Sequence, residues 1–233
     1  MKLSRRNVLK GMAAGTVAVS AGAGRARGET AGRTPRYGMV IDLRKCFGCH
    51  ACSVACKAEQ AVPLGYFKSW VMQAEQGVFP NVKRNFIPVL CNQCENPPCV
   101  DSCPTGATWQ RADGIVMQDE AVCIGCKYCL QACPYNVKYI DPRTGTAQKC
   151  DFCVHRVEQG LLPACVNTCN ARARVFGDLN DPNSEVSRLI ATSNAQPLLP
   201  HMGTEPRVYY IDIDPGAYRP VQGQMVTELR AQI

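Results

Sequence analysis

An α+β chain of short helices and small antiparallel sheets, organised around something other than an aliphatic core, is what this sequence of 233 residues describes. Sixteen cysteines, about seven in every hundred residues, stand far above ordinary usage. Sixteen prolines and 19 glycines beside few aromatics demand many turns and leave little bulk for a core. The apolar runs are short and flanked by turn residues. Such cysteine density narrows the class to a disulfide scaffold, a zinc protein or an iron–sulfur protein.

Along the chain, residues 37–43 (Tyr37-Gly-Met-Val-Ile-Asp-Leu43) predict a strand. Asp113-Gly114 before Ile115-Val116-Met117 predicts a hairpin turn and a short strand. Lys138-Tyr139-Ile140 and Thr146-Ala147-Gln148, joined through Asp141-Pro142-Arg143-Thr144-Gly145, predict a second hairpin. Residues 53–58 and 130–132 have room for only one or two helical turns, 184–192 for a longer surface helix, and 208–213 for a late strand. No segment is long and apolar enough to span a membrane.

The cysteines fall into four groups of four, and none lies outside them. They are Cys46-x2-Cys49-x2-Cys52-x3-Cys56, Cys91-x2-Cys94-x4-Cys99-x3-Cys103-Pro104, Cys123-x2-Cys126-x2-Cys129-x3-Cys133-Pro134 and Cys150-x2-Cys153-x11-Cys165-x3-Cys169. A C-x2-C-x2-C loop wraps one [4Fe–4S] core with three thiolates, while a fourth cysteine three residues on serves the other cluster of a pair. The third group matches this run fully and the second widens one gap. The first has Lys57 where proline is expected, and the fourth opens its loop by eleven residues and is followed by Asn170. Four-cysteine zinc sites come as two separated pairs, and disulfides have no reason to repeat this spacing. The expectation is four [4Fe–4S] clusters.

The swap rule assigns the ligands. The second and third groups are adjacent and both end in Cys-Pro, so one cluster takes Cys91, Cys94, Cys99 and Cys133, and its partner takes Cys123, Cys126, Cys129 and Cys103. By elimination the outer groups give Cys46, Cys49, Cys52 with Cys169, and Cys150, Cys153, Cys165 with Cys56. The fold expected is two interlocked ferredoxin-like units, one inserted in the other: residues 36–88 with 141–180 outside, and 89–140 inside. A C-terminal extension, 181–233, is expected to pack on the cluster domains or on a partner subunit.

Other side chains carry weaker signals. His50, His155 and His201 are better explained by surface or supporting roles, because sixteen thiolates already satisfy four clusters. Lys45, Lys57, Lys127 and Lys149 adjoin cluster ligands and either raise reduction potentials or are simply solvated. Trp109 either packs beside a cluster or fills core. No nucleophile–base pair, phosphate loop or flavin fingerprint is found, so the chain is expected to have no catalytic site of its own.

Ser4-Arg5-Arg6-Asn7-Val8-Leu9-Lys10, followed by a weakly apolar stretch over 11–23, resembles a twin-arginine export signal. Ala21-Gly22-Ala23 offers a cleavage site, with Ala26 as a competitor. The stretch of about 13 residues falls short of the roughly 20 that span a bilayer. Residues 1–35 are thus expected to be signal and linker, and the chain periplasmic. A twin-arginine route carries folded cargo, which suits clusters built in the cytoplasm. The formal charge of +7 includes four cations in the first 23 residues, so the mature chain carries +3. Each oxidised core with its thiolates brings 2−, so four bring the holoprotein to near −5, and nucleic acid is not an expected partner.

Taken together, Tyr37-Gly-Met-Val-Ile-Asp-Leu-Arg-Lys-Cys46, Leu90-Cys-Asn-Gln-Cys-Glu-Asn-Pro-Pro-Cys99, Cys103-Pro-Thr-Gly-Ala107, Ala132-Cys-Pro-Tyr135, Lys149-Cys-Asp-Phe-Cys-Val-His-Arg156, Leu162-Pro-Ala-Cys165 and Gly177-Asp178-Leu179 resemble the four-cluster β subunits of molybdopterin oxidoreductases. The likeness covers roughly residues 36–215 and points to the polysulfide, tetrathionate and respiratory arsenate reductase group. It implies a molybdopterin catalytic α subunit and an integral membrane quinone-interacting subunit as partners, with the clusters as a wire between them. It also implies the same crossed ligation. Some relatives carry a C-terminal transmembrane helix; here contact with the membrane is expected through a partner, with no direct span. Many relatives lack an export signal of their own. Its presence keeps open a stand-alone or cytochrome-linked polyferredoxin, as in nitrite-reductase-associated relatives.

Overall fold

The computed structural model describes residues 33–214 together with Ala217 and Tyr218. The twin-arginine segment, its cleavage site and the remainder of the C-terminal extension lie outside the described residues. In chain order the elements are β1 (Tyr37–Asp42), α1 (Ala51–Glu59), β2 (Ser69–Val78), β3 (Asn81–Leu90), α2 (Pro98–Asp101), β4 (Thr108–Gln110) and β5 (Val116–Gln118). They continue with α3 (Tyr128–Gln131), β6 (Tyr139–Ile140), β7 (Ala147–Gln148), α4 (Val154–Val157) and α5 (Ala164–Asn167). The last are β8 (Arg174–Asp178), α6 (Glu185–Thr192), β9 (Ala195–Pro197) and β10 (Val208–Ile211). The result is a mixed helix and sheet architecture with small sheets.

The largest sheet among the described residues runs β8-β1-β10-β9. β1 is antiparallel to β8, with Tyr37 opposite Asp178, and parallel to β10, with Met39 opposite Val208. Both faces of β1 are covered, which is why Met39, Val40 and Ile41 run as a continuous apolar segment with no exposure. Val40 packs with Val186 of α6 and Ile211 on one face. Met39, Ile41 and Tyr210 enter the main core on the other, among the cysteines. The C-terminal extension therefore supplies an interior strand of this sheet. β10 stops two residues before the expected 213, where Asp212 turns into the left-handed region (φ 62°). α6 begins where Ser184 Oγ accepts from the Ser187 N–H at 3.1 Å, an N-cap of ordinary geometry.

The β4–β5 and β6–β7 hairpins form where the turn residues place them. Two features depart from expectation. α1 runs for nine residues, about two and a half turns, with Lys57 at the position where a proline would have ended it. Residues 69–90 form a hairpin of two ten-residue strands that no turn motif in the sequence announces. Its base buries Val71, Ile87, Val89 and Leu90, while its outer half is polar, with Arg84 paired to Glu75 at 2.6 Å. No helix among the described residues is long and apolar enough to cross a membrane.

Candidate metal centres

No disulfide joins any two of the sixteen cysteines. The four groups share one backbone device. The residue just before the second cysteine of each, Gly48, Gln93, Gly125 and Phe152, is left-handed, with φ between 48° and 74°. This conformation folds the loop into a concave nest of N–H groups suited to an anion, as at many iron–sulfur sites. Glycine adopts it freely, and Gly48 and Gly125 have no alternative: a Cβ would lie 2.3 Å from the Phe86 ring and 2.4 Å from the Gly145 carbonyl oxygen. Gln93 and Phe152 hold the same shape at a cost of about 1–2 kcal/mol each. That cost is tolerable because both are buried and tied in by hydrogen bonds.

A short helix then carries the third thiol of each group: Cys52 on α1, Cys99 on α2, Cys129 on α3 and Cys165 on α5. In the last three the fourth cysteine, Cys103, Cys133 or Cys169, follows the helix end. Cys56 instead stays within α1.

Thiols from different groups converge. One cavity is lined by Cys91, Cys94 and Cys99 of the second group and by Cys133 of the third, with Val116 and Lys138. Another is lined by Cys123, Cys126 and Cys129 of the third group and Cys103 of the second. Among the outer groups, the thiolate charges that reach Cys46 are those of Cys52 and Cys169. Cys150 is reached by Cys56, Cys165 and Cys153. Cys165 in turn feels Cys52, and Cys99 shares a small core with Cys129, Val116 and Ala147. Only Cys49 and Cys126 are exposed.

Burial pushes the Cys56 and Cys94 thiols up to about 12 and Cys99 to about 11. A bare thiolate is costly there, so ligation must displace the proton and a cationic core must replace it. Cys103 goes the other way. Burial would raise it, but hydrogen bonds from Thr108 and Thr105 outweigh that and bring it to about 7. Backbone N–H groups also meet sulfur at 3.4 Å from Ala147 to Cys123 and from Phe152 to Cys150. Four thiols from two chain segments, apolar walls and N–H groups on sulfur fit a [4Fe–4S] core.

The cations are where sequence reasoning fell short. Lys149 is buried, its ammonium donating to the Val116 and Cys150 carbonyls. Lys57 is likewise not simply solvated: it donates to the Pro63 and Tyr66 carbonyls, each at 2.8 Å, and lies 4.4 Å from the centre of the Phe67 ring. Lys45 and Lys127 are exposed. Lys138, Arg174 and Arg207, unmarked by any motif, are buried with charges that reach cluster-site thiols. Trp109 does not fill core, being 45 % exposed opposite Met117. His155 is exposed and bonded to Glu59 at 2.8 Å, His201 is exposed, and His50 is the left-handed residue that opens α1.

Residues 82–179 match the 4Fe–4S dicluster domain. The chain belongs to the family of iron–sulfur proteins that carry [4Fe–4S] clusters as electron-transfer subunits of reductase complexes. It is 46 % identical to a tetrathionate reductase subunit of Salmonella typhimurium over 193 residues, 81 % of this chain and 77 % of that protein. With protein NrfC of Escherichia coli it shares 44 % identity over 91 % of this chain and 96 % of that one. With the arsenate respiratory reductase iron–sulfur subunit ArrB of a Shewanella species it shares 41 % over 76 % and 96 %.

Proposed function

We propose that the chain holds four [4Fe–4S] clusters in two interlocked ferredoxin-like units and relays electrons between a membrane quinone-interacting subunit and a molybdopterin catalytic subunit of an exported respiratory reductase. When bound, the clusters supply one-electron redox centres; the protein supplies ligands, spacing and charge. The ligand sets are Cys46, Cys49, Cys52 and Cys169 (cluster 1); Cys91, Cys94, Cys99 and Cys133 (cluster 2); Cys123, Cys126, Cys129 and Cys103 (cluster 3); and Cys150, Cys153, Cys165 and Cys56 (cluster 4).

One observation carries the reading: thiols of two different groups line each of the two cavities at the inner pair. Three links support a relay order of 1, 4, 2, 3. The Cys52 charge reaches Cys165, the Gln93 amide reaches the Cys150 carbonyl, and Cys99 packs with Cys129. The exposed cysteines, Cys49 and Cys126, then fall in the two terminal clusters. The likeness to tetrathionate and arsenate reductase subunits supports the reductase setting. The Arg5-Arg6 signal supports a periplasmic location.

A second reading, a stand-alone or cytochrome-linked polyferredoxin that serves no molybdenum subunit, is kept open by the Arg5-Arg6 signal carried on the chain itself. Purification of the chain from its native host decides between them. Co-elution with a large molybdenum-containing chain, with roughly sixteen irons and sixteen sulfides in this subunit, is the expected result. A loaded chain that elutes alone would establish the second reading.

A further inference from the structure

Arg174 opens β8 at the junction of the two outer thiol sets and is 3 % exposed. The guanidiniums of Arg44, Arg143 and Arg156 pair with Asp42, Asp141 and Glu59. That of Arg174 meets no carboxylate among the described residues. Its Nη2 donates to Ser69 Oγ at 3.0 Å, and its Nη1 is buried with no hydrogen-bond partner. A buried charge left in this condition is strongly unfavourable unless an opposite charge lies close by.

The opposite charges nearest to it are thiolates. Cys165, Cys52 and Cys150 act on the Arg174 guanidinium, and its charge also reaches Cys46 and, after that of Lys68, Cys56. These five cysteines divide between cluster 1 and cluster 4. The inner thiols Cys94, Cys99, Cys103 and Cys133 answer to other groups, with Lys138 foremost among the cations at Cys99.

We propose that Arg174 is the shared counter-charge of the two outer clusters, raising both of their reduction potentials together. One-electron reduction takes a core with its four thiolates from 2− to 3−. A fixed positive charge beside both thiolate sets favours the more negative state, and burial strengthens the attraction. Two adjacent members of a relay would in this way be held at matched potentials by one side chain.

The inference rests on the crossed ligation proposed above. A Cys56→Ser chain whose lost EPR signal is that of cluster 1 rather than cluster 4 would mark failure of that ligation, apart from any failure of the charge. The test is an EPR-monitored redox titration of the full-length, cluster-loaded chain, with the outer signals assigned beforehand through Cys165→Ser and Cys52→Ser. Arg174→Gln retains a donor to Ser69 but no charge. With iron content intact it should lower both outer midpoints by at least tenfold in the reduction equilibrium, about 59 mV for one electron, and leave the inner pair in place. Arg174→Lys should restore most of the shift. Should Arg174→Gln lose iron, Ser69→Asp decides: a carboxylate set against the guanidinium should lower the same two midpoints, whereas Ser69→Ala should not. Outer midpoints that stay in place in a fully loaded Arg174→Gln or Ser69→Asp chain, or inner midpoints that move equally, would overturn the proposal.

Discussion

The Gln93 side-chain amide donates to the Cys150 carbonyl at 2.7 Å, joining residues 57 apart in sequence and bridging two cysteine groups. Its other atom, Oε1, accepts the Val116 N–H at 2.7 Å, and its own carbonyl receives Arg207 Nε at 2.7 Å. Gln93 is fully buried and left-handed, so one residue both shapes the loop of the second group and locks that loop to the fourth.

Gln93→Leu keeps the volume but strands the Val116 N–H, while the Cys150 carbonyl keeps its bond from Lys149 Nζ. An unmet buried group costs about 1–3 kcal/mol, so a loss of about 2 kcal/mol is expected. Thermal unfolding of the loaded chain measures it, and an unchanged midpoint would show that water or a neighbour satisfies the Val116 N–H. Gln110, whose amide reaches the Cys94 carbonyl at 3.1 Å from the half-buried β4, is the control: Gln110→Leu should cost less than half as much.

Much of this was legible in the sequence because it is local. The strand at Tyr37, the hairpins after Gly114 and across 141–145, and the helix capped by Ser184 each announce themselves through turn or cap chemistry within a few residues. Cysteine spacing is local too, and it carries the metal chemistry. The rest depends on distant partners. Nothing in Gln93 or Phe152 marks a left-handed conformation, since what holds each is a hydrogen bond rather than a missing Cβ. The β2–β3 hairpin turns at Phe79-Pro80 without the Asn-Gly or Asp-Gly pair that flags a two-residue turn. Arg174 and Lys138 look like surface charges until thiols from other segments are brought beside them.

Gly125 and Gly106 make a matched pair for the cradle. Their φ values are 68° and 69°, so both demand the same conformation, but a Cβ at Gly125 meets the Gly145 carbonyl oxygen at 2.4 Å and one at Gly106 meets nothing within 4 Å. Gly106→Ala should cost only the backbone penalty of about 1–2 kcal/mol and retain full iron. Gly125→Ala should displace the loop that carries Cys123 and Cys126 and lower the iron count by one cluster. Equal iron in the two variants would mean that the loop yields around the methyl group.

Asp42 tests the entry to the first group. Arg44 holds its carboxyl below the usual carboxylate range through two side-chain hydrogen bonds, at 2.8 and 2.9 Å, together with the Arg44 backbone N–H at 3.1 Å. A depressed carboxylate contributes stability that is present above its unfolded value of 3.8 and is lost as pH falls through the lower folded value. Asp42→Asn should therefore destabilise the loaded chain by about 1 kcal/mol, with the deficit constant from about pH 8 to about pH 5, where the carboxylate is ionised in both states. A deficit that shrinks across that interval would place the linked titration on another group.

The proposed crossed ligation yields the sharpest outcome. Cys133 belongs by sequence to the third group, yet it lines the cavity of Cys91, Cys94 and Cys99, and its thiol is raised by burial with Cys91 as the neighbouring charge. Cys103 belongs to the second group and lines the cavity of Cys123, Cys126 and Cys129. Cys133→Ser should therefore damage the cluster of the second-group loop, and Cys103→Ser that of the third-group loop, each with loss of no more than one cluster's iron. The sites also differ in exposure: Cys126 is open to solvent, whereas Cys91, Cys94 and Cys99 are buried. Relaxation enhancement by an added paramagnetic ion should therefore be strong for the signal that survives in Cys133→Ser and weak for the one that survives in Cys103→Ser. The reverse assignment would return each fourth cysteine to its own group and undo the pairing of the clusters.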